Sequence, residues 1–153
     1  MNQDQYTLAA LPESFYRVSV KVLIFNERQE LLIFANKQKK WEIPGGGWEY
    51  GESLDSCVKR ELHEEARATT TQISGILFSY ANKHENGYTK LCLVVRASIN
   101  DDALVPTDDD LIDAKYVSKE EFMRTDFQYN ELAAQDYADT IWSEDVLKPS
   151  AHR

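Results

Sequence analysis

The sequence predicts one domain of the α/β class, of the α+β type, in which a mixed β-sheet lies layered against helices. Three observations lead there. Runs of β-branched and aromatic residues with period-two alternation recur at several separate places. A stretch of helical period stands in their midst, over residues 54–67. Strands surround the helices without the regular βαβ alternation of a purely parallel sheet. The length of 153 residues suits a single domain, and a 42% hydrophobic, 11% aromatic composition supplies a core. The domain is expected to fill residues 1–153, with 1–14 and 144–153 as loose ends.

In chain order, FYRVSVKVLIF (15–25) reads as the first strand. Tyr16, Val18, Val20, Val22 and Ile24 share one parity, and Arg17, Ser19 and Lys21 the other. NERQE turns the chain, and LLIFAN (31–36) returns as a second strand, which predicts a hairpin. KQKK (37–40) is a basic turn, and WEIPGGG (41–47) is a short extended piece ending in glycines. Ser53 fits an N-cap, with Asp55 favouring the positive end of the helix that follows. TQISGILFSYA (71–81) and TKLCLVVRASI (89–99) read as two strands joined by the turn KHENG. INDDALVPTDDD (99–110) is an acidic, solvated loop. AKYVS (114–118) is a late strand, Ser118 and Glu121 form a capping box, and NELAAQDYADTIW (130–142) is a final helix.

The net charge of −9 argues against long nucleic acid as a partner, because polyphosphate backbones select basic surfaces. A small phosphorylated ligand is compatible with it, since a few local cations or a metal reverse the field within one pocket. Cys57 and Cys92 belong to no CxxC pair and are expected as free buried thiols. Neither a basic-then-apolar start nor an apolar run of membrane-spanning length occurs, so a cytoplasmic protein without membrane contact is expected.

The anomaly of the chain is RELHEE (60–65). On a helical projection Leu54, Cys57, Val58 and Leu62 form the apolar arc. Glu61 and Glu65 point into that same arc, and Glu64 lies at its edge. Glu64 and Glu65 also stand near the helix C-terminus, where the dipole disfavours anions. Carboxylates crowded this way repel one another unless a cation joins them, and hard oxygen donors suit Mg²⁺, with Mn²⁺ as a substitute. His63 faces the other way. Taken alone, the run also fits a charged helix surface.

Upstream lies PGGGWEYGES (44–53), whose glycines let backbone groups approach a ligand closely. Five residues separate Gly46 from Glu52, seven more separate Glu52 from Arg60, and Glu61, Leu62, His63, Glu64 and Glu65 follow directly. This pattern resembles the Nudix box, G-x5-E-x7-R-E-U-x-E-E-x-G-U with U a bulky aliphatic residue. Gly46, Glu52, Arg60, Glu61, Leu62, Glu64 and Glu65 match, within the window 46–68. Arg67 stands where the box has glycine, and Ala68 at its last aliphatic position. The box glycine suits a left-handed C-cap, so Arg67 puts the helix exit in question.

The resemblance implies a Nudix-like α/β/α sandwich with its mixed sheet between helices. It implies a pyrophosphohydrolase that cleaves the diphosphate linkage of a nucleoside diphosphate joined to another moiety X, by attack of metal-activated water at phosphorus. A nucleoside triphosphate or a nucleotide sugar would be such a substrate. Glu61, Glu64 and Glu65 are the implied metal ligands, with the Gly45 carbonyl as an added one. Arg60 would orient the glutamates by charge-assisted hydrogen bonds. Glu61 is the first choice of general base, with Glu85, Asp109 and Asp110 available on later loops. Lys37, Lys39 and Lys40 are candidates to steer phosphates, and fit a solvated turn equally well. Trp48, Tyr50 and Trp41 are candidates to stack on a base, although Trp41 also fits the core. A monomer or a homodimer is compatible with all of this. A Nudix-fold regulator that binds a nucleotide or metabolite with little catalysis is the alternative reading.

Overall fold

The computed structural model describes residues 15–83, 87–100, 111–127 and 132–148. Its strands form two sheets. In the first, β1 (Tyr16–Leu23) pairs in parallel with β7 (Thr89–Ile99) and antiparallel with β4 (Gly45–Gly47). On its other side β7 pairs antiparallel with β5 (Thr70–Ile73) and β6 (Phe78–Lys83). The second sheet is antiparallel, in the order β3 (Trp41–Glu42), β2 (Leu31–Asn36), β8 (Leu111–Val117).

Helix α1 (Leu54–Ala66) covers one side of the sheets. Its Cys57, Val58 and Leu62 pack with Val20, Val22, Phe34 and Val95 in one core. The second core lies on the opposite side. There Leu23, Ile33, Cys92 and Val94 meet Phe122 of α2 (Lys119–Arg124), Ala134 of α3 (Leu132–Gln135), Ile141 of α4 (Ala138–Ile141) and Val146 of α5 (Glu144–Leu147). This is the expected mixed sheet between helices. Both cysteines are free and buried. Among the described residues, no helix is long and apolar enough to cross a membrane.

Several expectations are corrected by the packing. β1 and β2 approach at the Phe25–Leu31 bridge, closed by the Leu32 N–H to Ile24 carbonyl and Asn26 N–H to Glu30 carbonyl bonds, and then part into separate sheets, so they make no extended hairpin. The single strand expected over 71–81 is two, β5 and β6, interrupted at Ser74–Leu77 while both continue along β7. β8 begins at Leu111, ahead of the expected Ala114.

The long final helix is instead α3, α4 and α5. The break at Tyr137 lets its ring stack on Tyr80 at 5.1 Å and on Phe78 at 5.6 Å. Trp142 meets Phe25 and Phe122 edge-on. The turns before and after α4 thus set Tyr137 and Trp142 against different parts of the second core. Residues 144–147, expected as part of a loose end, form α5 with Val146 buried, and Arg96 donates to the Val146 and Leu147 carbonyls. Ser118 caps α2 through the Glu121 N–H as expected, but the Glu121 carboxylate turns to Lys115 at 3.0 Å and leaves the box half made. The acidic segment 101–110 and Glu85 lie outside the described residues.

The helix that carries the glutamates begins and ends as its sequence requires. The Ser53 hydroxyl accepts the Ser56 N–H at 3.1 Å. At the far end Arg67 adopts the left-handed conformation (φ 51°, ψ 26°), and the Arg67 and Ala68 N–H groups return to the His63 and Leu62 carbonyls. The geometry of the box glycine is therefore kept with an arginine in it. Arg67→Gly is expected to stabilise the protein by about 1 kcal/mol. In a thermal melt that is a rise of about 2–4 °C; an unchanged or lower midpoint would show that Arg67 makes a compensating contact.

Candidate active site

The site forms where the N-terminal half of β1, the glycine strand β4 and the last turns of α1 meet. Two glycines make the approach possible. Gly45 sits at φ +140°, and a Cβ there would stand 2.0 Å from the Val20 carbonyl oxygen. At Gly46 a Cβ would fall 2.4 Å from Glu61 Oε1, so the Glu61 carboxylate occupies the space a side chain would need.

Arg60 is the hub. Its Nε donates to Glu52 Oε2 at 3.0 Å and its Nη2 to Glu52 Oε1 at 2.7 Å, a two-pronged pair. The same Nη2 reaches the Gly47 carbonyl at 3.0 Å. Nη1 donates to Glu61 Oε1 at 2.8 Å and, more weakly, to Glu64 Oε2 at 3.4 Å. One guanidinium thus ties the loop, the helix and three carboxylates together. The Arg60 hydrogen bonds, joined by the Glu49 N–H, hold the Glu52 carboxyl down to about 2. The pairing with Glu52 in turn raises the Arg60 pKa.

The glutamates of the helix differ in environment. Glu65 is buried, and its Oε1 accepts the Gly45 N–H at 2.9 Å. Burial raises its carboxyl well above the usual range; the Gly45 hydrogen bond opposes this and the neighbouring Glu61 charge adds to it. Glu61, with its side chain 13% exposed, is also raised, chiefly by burial, against the pull of Arg60. Glu64 is 56% exposed and turned outward toward Arg60. The sequence places all three on one side of the helix, but the structure resolves them into an inner pair, Glu61 and Glu65, and an outer member, Glu64. Among the described residues, no three Asp, Glu, His or Cys side chains stand at metal-holding spacing.

The donor chemistry of the inner pair fits a hard divalent cation. Both carboxylates are drawn from water and offer oxygen donors alone, the set that hard divalent ions prefer. The backbone of Gly45 lies beside them through its bond to Glu65.

A residue the pattern did not reveal is Lys21. The alternation of β1 assigned it to a polar face, yet it is only 5% exposed and its Nζ donates to the Ile43 carbonyl at 3.2 Å. Its charge acts on both Glu61 and Glu65. The signal available was Leu23, which shares Lys21's parity and is fully buried.

A cavity of about 850 Å³ opens on the outer side of the pair. Its walls include Tyr16, Arg17, Trp48, Tyr50, Glu52 and Arg60, and Glu61 and Glu64 border it. Trp48 is held there by an Nε1–H bond to the Glu52 carbonyl at 2.9 Å, and Tyr50 is fully exposed. Arg17, to which the sequence pattern gave no role, lies over Gly47 and makes no ion pair among the described residues. Lys37, Lys39 and Lys40 are not in the lining. They occupy the β2–β3 turn, where the Asn36 side chain accepts the Gln38 and Lys40 N–H groups and Lys40 pairs with Asp126. Trp41 packs at the edge of the core with Lys115 over its ring at 4.5 Å. Cys57 is no nucleophile: burial pushes its thiol up to about 12.

Comparison with known proteins bears on the family and the fold. Residues 15–136 match the model of the NUDIX domain. A 60-residue stretch is 38% identical to an RNA pyrophosphohydrolase of Ruthia magnifica, covering 39% of this chain and 34% of that protein. A stretch of 70 residues is 36% identical to the RNA pyrophosphohydrolase of Histophilus somni, covering 45% and 35%. The chain thus spans about a third of the length of the curated relatives it matches. Among solved structures, a MutT protein from Methanosarcina mazei superposes with a TM-score of 0.71 at 23% identity, over 85% of this chain and 97% of that one. The NUDIX domain of Shewanella oneidensis NrtR, complexed with ADP ribose, superposes with a TM-score of 0.68 at 18% identity, over 94% and 100%. With its box residues gathered around one glycine loop and four-fifths of its length matched, the chain belongs to the NUDIX family.

Proposed function

We propose that the protein is a divalent-cation-dependent pyrophosphohydrolase that cleaves the diphosphate linkage of a nucleoside diphosphate joined to a further group. The observation that carries this reading is the inner Glu61–Glu65 pair, set against a glycine strand, with Glu61 and Glu64 bordering a cavity large enough for a nucleotide. Glu61, Glu64, Glu65 and the Gly45 backbone are the groups that would hold Mg²⁺ or Mn²⁺. The bound ion would supply charge neutralisation of the diphosphate and Lewis acidity toward water.

The chain's own residues do the rest. Arg60 fixes Glu61 through Oε1, leaving Oε2 as the acceptor of the attacking water's proton. Arg17 supplies a cation for substrate phosphate at the cavity wall, and Trp48 and Tyr50 supply aromatic surface for a base. The names of the similar proteins, an RNA pyrophosphohydrolase and an ADP-ribose complex, support a phosphorylated nucleoside as the shared chemical class. The net charge of −9 favours a small one.

The test is turnover with Mg²⁺, then Mn²⁺, on nucleoside triphosphates, nucleotide sugars, ADP-ribose, dinucleoside polyphosphates and a 5′-triphosphorylated oligonucleotide. One class should be cleaved, and Glu64→Gln should lose that activity. Arg17→Ala should raise KM about tenfold with a smaller change in kcat, the mark of a binding contact. Binding of nucleotide without cleavage of any member would instead support a regulator built on this fold.

A further inference from the structure

The glutamate pair is approached by two cations from different elements. Arg60, on the helix, holds Glu61 from the cavity side and is itself committed to Glu52. Lys21 comes from β1, directly across the ladder from Gly45, and is buried with its Nζ on the Ile43 carbonyl. A lysine is seldom placed at this depth, because burying its charge is costly unless acids compensate it. The Gly45 N–H across from it is the one that bonds to Glu65; the Lys21 charge acts on Glu61 and Glu65, and that of Glu42 on Glu65. Glu61 borders the cavity, whereas Lys21 and Glu65 are buried and stand outside its lining.

We propose that Lys21 is a positioning residue that serves as a resident cation of the site, its fixed charge setting how strongly the Glu61–Glu65 pair holds a divalent ion. This rests on reading the pair as a cation site. Lys21 stabilises the carboxylates together before any ion arrives, and it lowers the field that an arriving ion experiences. The ion is then held loosely enough to exchange between turnovers. A second, simpler role is included in the geometry: the ammonium also props the Ile43–Gly45 segment through its hydrogen bond. The two roles separate by substitution, because glutamine retains a donor and loses the charge.

The experiment is a titration of the free Mn²⁺ electron-paramagnetic-resonance signal with wild-type protein, Lys21→Gln, Lys21→Met and Lys21→Arg at neutral pH, with circular dichroism to verify folding. The neutral variants are expected to bind Mn²⁺ about tenfold tighter than wild type, and Lys21→Arg to bind like wild type. Wild-type affinity in a folded Lys21→Gln, or weaker binding in it, would overturn the proposal and leave Lys21 as a prop for the loop. Should Lys21→Met fail to fold, Lys21→Gln decides alone. Absence of Mn²⁺ binding by the wild-type protein would be a different result, removing the cation site and this inference with it.

Discussion

Glu65→Gln is expected to lower turnover by at least about a hundredfold while raising the thermal stability of the metal-free protein. The two effects have one cause. The Glu65 carboxylate is buried near Glu61, and burial disfavours its charged form more than the Gly45 N–H and the Lys21 charge favour it. Its pKa in the folded state lies above the unfolded value. Between those two values the native protein binds more protons than the unfolded chain, so this group's contribution to stability falls as pH rises through that window. Glutamine still accepts the Gly45 N–H and carries no charge. In chelator-treated protein the melting point of Glu65→Gln should therefore exceed that of wild type, by a margin that grows as pH rises above the ordinary carboxylate range. A margin that shrinks with rising pH, or full turnover in the variant, would contradict the role given to Glu65. Glu52 provides the contrast. Its pKa is depressed to about 2 by Arg60, so its contribution is complete above the ordinary carboxylate range and fades as pH falls toward 2.

The second large effect is expected at Arg60. Arg60→Met removes the hydrogen bonds to Glu52, Glu61, Glu64 and the Gly47 carbonyl at one stroke. It leaves the mostly buried Glu61 carboxylate and a backbone carbonyl without their donor. The loss should be about 2–3 kcal/mol, somewhat under the ~3–5 kcal/mol for breaking a fully buried ion pair by removing one partner, because these side chains keep some contact with water. That is a fall in melting temperature of about 5–10 °C for a chain of this size. Arg60→Lys should recover little of it, because an ammonium cannot reproduce the two-pronged bond to Glu52 while also reaching Gly47 and Glu61. Turnover should fall in both variants through misplacement of Glu61. A lysine variant with wild-type stability and rate would show that Arg60 acts as a point charge alone.

The parts of the fold legible in the sequence were those governed by local rules. Ser53, Ser118 and the apolar arc of α1 mark helix starts and faces through interactions within a few residues, and each is found as read. The spaced box glutamates and glycines pointed to the candidate site because acids crowded on an apolar helix face, beside a loop built for close approach, are costly unless a cation joins them. What sequence did not disclose depends on distant partners. β1 and β2 have the pattern of a hairpin, but their separation into two sheets is decided by β7 and β8, which are remote in the chain. The final helix is divided into three, and Tyr137 and Trp142 at its breaks pack on residues far upstream. Lys21 and Arg17 sit on the alternation that usually means solvent, and only the tertiary structure turns one inward and the other into the cavity.

Glu61 and Glu65 are proposed to hold a divalent cation beside the Gly45 backbone. Calorimetric titration of Mn²⁺ into the metal-free protein at neutral pH, repeated with Glu65→Gln, measures this directly. Binding is predicted for the wild-type protein, and its loss in folded Glu65→Gln. Equal Mn²⁺ affinity in the two proteins, or no binding by the wild type, would contradict it.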